Sequence, residues 1–127
     1  MELTERTRMD WISWQLCRAI AVRLRREPER IMRILFDNME RAGKAGAWTE
    51  NEEEWMDILE SHTPEQIAEI LEAETHESQR LRSNFRGFHI LPETIRRTII
   101  QSGYGLQPFS EALIQPARPH SSSGALR

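Results

Sequence analysis

The chain has 127 residues, the length of one domain, and its 39% hydrophobic and 29% charged residues are typical of a globular rather than a disordered protein. Cys17 is its only cysteine, which excludes an internal disulfide and favours a reducing, cytoplasmic location. The charged N-terminal residues and the lack of a run of about 18 apolar residues argue against secretion and membrane insertion.

Charge is segregated along the chain into three blocks. Residues 1–45 carry ten Arg and Lys against seven Asp and Glu, residues 46–79 carry eleven acids and no Arg or Lys, and residues 80–127 carry seven Arg against two Glu. Such blocks can neutralise each other within one fold, or they can leave an acidic face that attracts a basic partner. We expect the first arrangement.

The first two predicted helices are separated at Pro28. Over residues 4–26, apolar side chains recur at the spacing of an amphipathic helix, at Trp11, Ile12, Leu16, Ala19, Ile20 and Leu24. Proline is accepted in the first turn of a helix but not in its interior, so Pro28 is predicted to begin the second helix. Gly43 and Gly46 end it. Its predicted inward residues are Ile31, Ile34, Leu35 and Met39.

Two capping boxes predict the starts of the third and fourth helices. In Thr49-Glu50-Asn51-Glu52 and in Thr63-Pro64-Glu65-Gln66, the threonine oxygen can accept from the backbone three residues on, while the Glu or Gln side chain reaches back. The predicted buried residues are Trp55, Met56, Ile58 and Leu59 in the third helix, and Ile67, Ile70 and Leu71 in the fourth.

A fifth helix is predicted to begin near Thr75, to carry Leu81 inward and to end at the turn-forming residues 84–87. Pro92 then opens a last helix, which ends before Gly103. Its predicted inward residues are Ile95, Ile99 and Ile100. No strand-like alternation is visible. The expected fold is therefore all-α, a compact bundle of five to six short helices with an irregular C-terminal tail.

The residues after Gly103 form two different segments. Residues 104–115 contain apolar side chains that a disordered linker would not need, namely Tyr104, Leu106, Phe109, Leu113 and Ile114. We expect this segment to pack in an extended or short helical form, either over the bundle or on a partner. Residues 116–127, rich in Pro and Ser, are predicted to be mobile. The predicted domains are a helical domain, 1–103, and a partly disordered extension, 104–127.

No recognisable catalytic or cofactor-binding constellation is present. The four histidines lack the spacing of metal ligands on one helix face. Cys17 has no histidine placed to activate it, and we expect it to be a small buried hydrophobe. The acidic run Glu52-Glu53-Glu54 is typical of a solvated helix face. A non-enzymatic protein that needs no metal and no cofactor is therefore expected.

The segment of residues 78–93 resembles a signature of a family of small bacterial antitoxin or regulator-like helical proteins, which are components of toxin–antitoxin pairs. In proteins of that family, a helix ends in Leu-Arg and a short loop with Phe and Gly follows. Leu with Pro-Glu then opens the last helix. The matching positions are Leu81-Arg82, Phe85, Gly87, Leu91 and Pro92-Glu93. Upstream, the helix over 13–26 with Glu27-Pro28-Glu29-Arg30 resembles the family's opening, and Trp55 its central tryptophan. The resemblance covers about residues 13–101, and Leu91 departs from it because a polar residue usually precedes the proline.

This resemblance implies a non-enzymatic protein that neutralises a cytoplasmic toxin, encoded by the neighbouring gene, by direct binding. The loop residues Phe85, Phe88, Ile90 and Leu91 are too apolar for a free surface, so they either fill the bundle, which we favour, or dock on another protein. Arginine beside aromatic residues is typical of interface hot spots. The candidate partner-binding residues are Arg82, Phe85, Arg86, Phe88, Phe109 and Leu113. A structural or adaptor subunit of a larger complex is an alternative.

Five arginines near the junction of the first two helices are the best candidates for nucleic-acid contacts. They are Arg23, Arg25, Arg26, Arg30 and Arg33. Glu27 and Glu29 lie among them and the pI is 5.8, so an ordinary surface patch is expected and a small nucleic-acid-associated regulator is the alternative.

The nucleic-acid alternative predicts binding that weakens steeply as salt rises, because phosphate contacts release counterions. A gel-shift titration at low and at moderate salt measures this. No complex at low salt would remove the alternative.

Overall fold

The computed structural model of the protein describes residues 5–46 and 48–115, of which Glu5 and Arg6 are described in their backbone only. This part of the chain contains six α-helices, two 3-10 turns and no strand, so the predicted all-α bundle is confirmed. The helices are α1 (Glu5–Arg26), α2 (Pro28–Lys44), α3 (Glu50–Ser61), α4 (Pro64–Glu72), α5 (His76–Arg82) and α6 (Glu93–Gly103), and the 3-10 turns are Phe88–Ile90 and Glu111–Leu113.

Helix α1 lies at the centre of the bundle and packs against α2, α4, α5 and α6. The predicted apolar stripe is buried, but burial extends beyond it, because Cys17 and Ala21 are also 0% exposed. A helix covered on most of its circumference is hydrophobic over more than one face. Small side chains such as Ala19 and Ala21 keep α1 narrow where its neighbours cross it.

Both predicted capping boxes are present. The Thr63 hydroxyl accepts from Gln66 N at 3.1 Å, and the Gln66 side chain accepts from Thr63 N at 2.9 Å. Thr49 N donates to the Glu52 carboxylate at 3.0 Å, and Glu52 N donates back to the Thr49 hydroxyl at 3.4 Å. These bonds satisfy backbone N–H groups that have no partner inside the helix, which is why α3 and α4 begin where the sequence predicts.

The aromatic loop between α5 and α6 fills the bundle. Trp55 Nε1 donates to Leu81 O at 2.8 Å, and the Trp55 and Phe85 rings meet edge to face with centroids 5.1 Å apart. Phe88 continues this cluster, 5.6 Å from Phe85. A Cβ at Gly87 would lie 2.5 Å from the Phe85 ring, so only glycine lets the backbone pass here.

The prediction that Ile100 points inward is wrong, because its side chain is 37% exposed. Ile99 is fully buried and Ile95 packs against the core as predicted. Helix α6 is covered on the side of α1 and of the Phe88–Ile90 turn. Since successive helical residues point about 100° apart, Ile100 faces away from that side. The helix also includes Gly103 rather than ending before it.

The segment 104–115 returns to α1 and packs over the protein's own bundle. Ile114 is 1% exposed, and the Phe109 ring meets the Trp11 ring edge to face with centroids 5.2 Å apart. The Arg18 and Glu111 side chains form an ion pair at 3.0 Å.

The division into two domains at residue 103 stays a prediction. The predicted mobile residues 116–127 lie outside the described part of the chain.

The oppositely charged blocks pair with each other, as expected. Arg25 of the first block bonds to Glu65 at 2.9 Å and to Glu72 at 2.5 Å, both in the acidic block. Arg80 of the third block bonds to Glu54 at 2.7 Å. Such exposed pairs each contribute little to the stability, but they offset the local charge.

Replacing Ile114 by Ala should lower the free energy of unfolding by about 2–4 kcal/mol, because it removes a fully buried side chain and leaves a cavity. Leu106→Ala is the matched control: Leu106 lies in the same segment but is 73% exposed, and its loss should cost about 0.5 kcal/mol or less. Urea unfolding measures both. Equal effects of the two variants would show that the segment does not belong to the core.

Candidate functional site

Two of the predicted partner-binding residues lie inside the protein. Arg82 is 5% exposed and Phe85 is 7% exposed, so the prediction that they present a surface to a partner is corrected. Phe85 is taken into the core by Trp55, and Arg82 binds the end of α4, where its Nη1 donates to Leu71 O and Ala73 O. The sequence could not show this, because the carbonyls that draw Arg82 inward belong to another helix.

The other four predicted residues lie outside the α-helices, two in the connection between α5 and α6 and two in the segment 104–115. Arg86 is exposed and its Nε pairs with the Glu52 carboxylate on α3, while Phe88 is half-buried against Phe85. Phe109 and Leu113 are half-buried against the core, Phe109 through Trp11 of α1. The structure therefore does not gather the predicted residues into one site.

Glu52 is a buried carboxylate, 3% exposed, where the acidic run predicted a solvated one. Hydrogen bonds from the Thr49 hydroxyl and then from Arg86 hold the pKa of its carboxyl below the usual range. Its neighbours Glu53 and Asn51 are exposed, as predicted for a solvated face. The buried position is N3 of the capping box, which explains why this one acid turns inward.

The arginine cluster at the junction of α1 and α2 is largely engaged within the protein. Arg25 is tied to two glutamates of α4, Arg30 lies 3.7 Å from Glu27, and Arg23 donates to Ala19 O at 2.9 Å. Burial lowers the pKa of Arg23. Arg26 and Arg33 complete the cluster, and both are exposed. Pairing with α4 leaves a smaller basic footprint than the sequence suggests, which disfavours nucleic-acid binding.

Exposed apolar side chains lie near the start of α1 and at the end of α6, where Met9 contacts Tyr104. These side chains, called the end patch below, are Met9, Ile100, Tyr104 and Leu106, with exposures of 48%, 37%, 45% and 73%. The Tyr104 hydroxyl lies 3.7 Å from Met9 Sδ, and the Arg8 guanidinium lies over the Tyr104 ring at 5.0 Å. Sequence analysis missed this patch, since it assigned Ile100 to the core and could not place α1 beside α6.

A groove of about 350 Å³ runs between α1 and the segment joining α4 to α5. Its walls include Trp11 and Trp14 from α1 and Thr75 and Gln79 from the opposite side, and Arg82 lies in its lining. Asp10 and Glu74 also border it. A second cavity of about 430 Å³ adjoins it and shares Asp10 and Gln79. This groove combines aromatic walls with one buried cation.

Cys17 is fully buried, as predicted, and burial raises the pKa of its thiol far above the usual range. A thiol held neutral in this way is a poor nucleophile.

Within residues 5–46 and 48–115, no group of three His, Cys, Asp or Glu side chains could hold a metal ion. None of the helices in the same ranges is long and apolar enough to cross a membrane.

Replacing Glu52 by Gln should flatten the dependence of stability on pH in the acid range. Because the folded pKa is below the unfolded value of 4.5, the carboxylate stabilises the protein above that pH and the gain is lost as pH falls through the folded pKa. Urea unfolding at a series of pH values measures this. Glu53→Gln, an exposed neighbour, is the control and should leave the profile unchanged; identical profiles for all three proteins would contradict the prediction.

No protein-family model, no curated protein sequence and no solved structure matches this chain.

Proposed function

We propose that this chain is a non-enzymatic protein-binding module, an antitoxin-like protein that holds a cytoplasmic toxin inactive by direct binding, and that the end patch is its main contact surface. The observation that supports this most is the contact of the exposed Met9 with the exposed Tyr104 across the ends of α1 and α6, with exposed Ile100 one turn before Tyr104 and exposed Leu106 two residues after it. Large apolar side chains that lie together on a surface mark interaction sites, whereas scattered ones do not.

The composition of the end patch suits a protein partner. Tyrosine, methionine and arginine are enriched at protein interfaces, and Tyr104 lies between Met9 and the Arg8 guanidinium. An aromatic side chain held by two neighbours loses little freedom when a partner covers it. Leu106, two residues after Tyr104, is 73% exposed and is the most exposed of the four side chains, so a partner can cover much of it.

The scaffold under the end patch is rigid. Arg8 Nε donates to Gly103 O at 3.1 Å, which joins α1 to the last residue of α6. A Cβ at Gly103 would lie 2.4 Å from Ile12 Cγ1, so the two helices approach as closely as glycine allows. A surface built on two joined helices needs little rearrangement to bind.

Two of the residues predicted from the sequence support this surface from the side. Phe109 packs against Trp11, which lies about one turn of α1 after Arg8. Leu113 packs against the same core. We propose that these residues hold the segment 104–115 in place, while the exposed Tyr104 and Leu106 make the contact.

The proposal is tested by co-expressing a tagged form of the chain with the product of the neighbouring gene. The wild-type chain should retain that product on an affinity column and restore growth in cells that express it. Leu106→Asp should weaken binding by about tenfold or more, because a charge would then be buried in an apolar contact. It should not change the stability, since residue 106 is exposed.

Trp48→Ala is the matched control. Trp48 is a large apolar residue, 38% exposed, but it lies between α2 and α3 rather than at the end patch. This variant should bind the partner as the wild type does. If the wild-type chain purifies alone and restores no growth, the antitoxin role is excluded; if Leu106→Asp binds normally, the end patch is not the contact surface.

A further inference from the structure

Arg82 is a buried cation whose hydrogen-bonding capacity is only partly used. Its side chain bonds through one nitrogen, Nη1, to the carbonyls of Leu71 and Ala73 at the end of α4. A guanidinium carries five N–H donors in a planar fork. Among the described residues, Nε and Nη2 have no acceptor, and no carboxylate forms an ion pair with this side chain. The residue is nonetheless only 5% exposed.

Arg82 belongs to the lining of the groove between α1 and the segment that joins α4 to α5. The nearest acids do not satisfy it: the Asp10 carboxylate accepts from Gln79 Nε2 at 2.6 Å, and Glu74 is exposed. Arginine is rarely buried without a counterion, and here the two acids act on Arg82 only at a distance. The free nitrogens are not fully enclosed, so an acceptor that enters the groove can reach them in place of water.

We propose that this groove binds the carboxylate of an acidic side chain on the protein partner, which pairs with the free Nε–Nη2 edge of Arg82. A carboxylate matches that edge with two parallel hydrogen bonds. Trp11 and Trp14 provide apolar walls for the aliphatic stem of the entering side chain and for the backbone beside it.

The charge around the groove favours a carboxylate over a phosphate. Asp10 and Glu74 border the groove beside its single lining cation Arg82, among the residues that the structure describes there. Two neighbouring carboxylates repel a dianion more strongly than a monoanion. A basic residue next to the acidic one in the partner would meet these same rim carboxylates.

The inference rests on the proposed protein-binding function and names the chemistry of the partner's inserting side chain. Trp11 connects the two surfaces, since it lines the groove and also lies 3.5 Å from the position of a Cβ at Gly103, beside the end patch. One partner can therefore cover the end patch and insert a side chain into the groove.

The test uses the full chain without its partner, so that it stands apart from the co-expression experiment. The probe is N-acetylglutamate methylamide, which carries one carboxylate, and the matched probe is the neutral N-acetylglutamine methylamide. Two-dimensional NMR follows the Arg82 Nε–H and the indole N–H signals of Trp11 and Trp14. We expect saturable shifts of Arg82 and of the indoles with the glutamate probe, and none with the glutamine probe.

Two variants separate binding from the structural role of Arg82 at the end of α4. Glu74→Gln should tighten binding of the glutamate probe about threefold, because it removes a repelling charge from the rim. Glu69→Gln, an exposed glutamate on α4, is the control and should change nothing. Arg82→Lys keeps the charge but loses the planar fork, so binding should weaken about tenfold. A merely structural arginine would give no response to either probe and no effect of Glu74→Gln.

The outcomes are distinct. Absence of shifts at Arg82, or equal shifts with the two probes, overturns the inference even if the partner is retained in the co-expression experiment. A stronger response to inorganic phosphate than to the glutamate probe overturns the choice of a carboxylate. Selective binding of the glutamate probe together with failure of the co-expression experiment supports the groove and rejects the proposed function.

Discussion

The burial of helix α1 is the constraint on which the rest of the structure depends. Five of its residues are 0% exposed, namely Cys17, Ala19, Ile20, Ala21 and Leu24. A helix in this position needs neighbours on several sides, and α4, α6 and the segment 104–115 supply them from distant parts of the chain. Burial of apolar surface is the dominant favourable contribution to folding, so the other helices take their places around α1. Both candidate surfaces, the end patch and the groove, are formed where a neighbour of α1 ends.

The local signals in the sequence were sufficient to predict where the helices begin. Pro28 and the two threonine capping boxes act within a few residues of themselves, so their effect can be predicted without knowledge of the tertiary structure. For the aromatic loop the sequence left two arrangements open, and the favoured one, in the core, is found for Phe85 and Leu91, which are too apolar to remain in water.

The functional surfaces could not be predicted in the same way. Arg82 looked like a surface residue because arginine is rarely buried, and only the approach of the end of α4 provides the carbonyls that hold it inside. On α6, Ile100 fits the apolar spacing of a helix as well as Ile99 does. The sequence does not show how much of the α6 surface α1 covers, so it could not show that Ile100 stays exposed. The end patch depends on which helix ends lie side by side, which is a property of the packing and not of any single segment.

The return of the segment 104–115 to α1 has a consequence for the route by which the protein folds. Arg18 and Glu111 are 93 positions apart in the chain, yet their side chains are bonded. Helical bundles whose contacts are local fold fastest, and each distant contact adds a loop that must be closed before it gives stability. During synthesis, α1 emerges before the segment 104–115 and keeps apolar surface uncovered until that segment follows. Until then, the apolar surface of α1 is covered by the helices α2, α4, α5 and α6 without that segment.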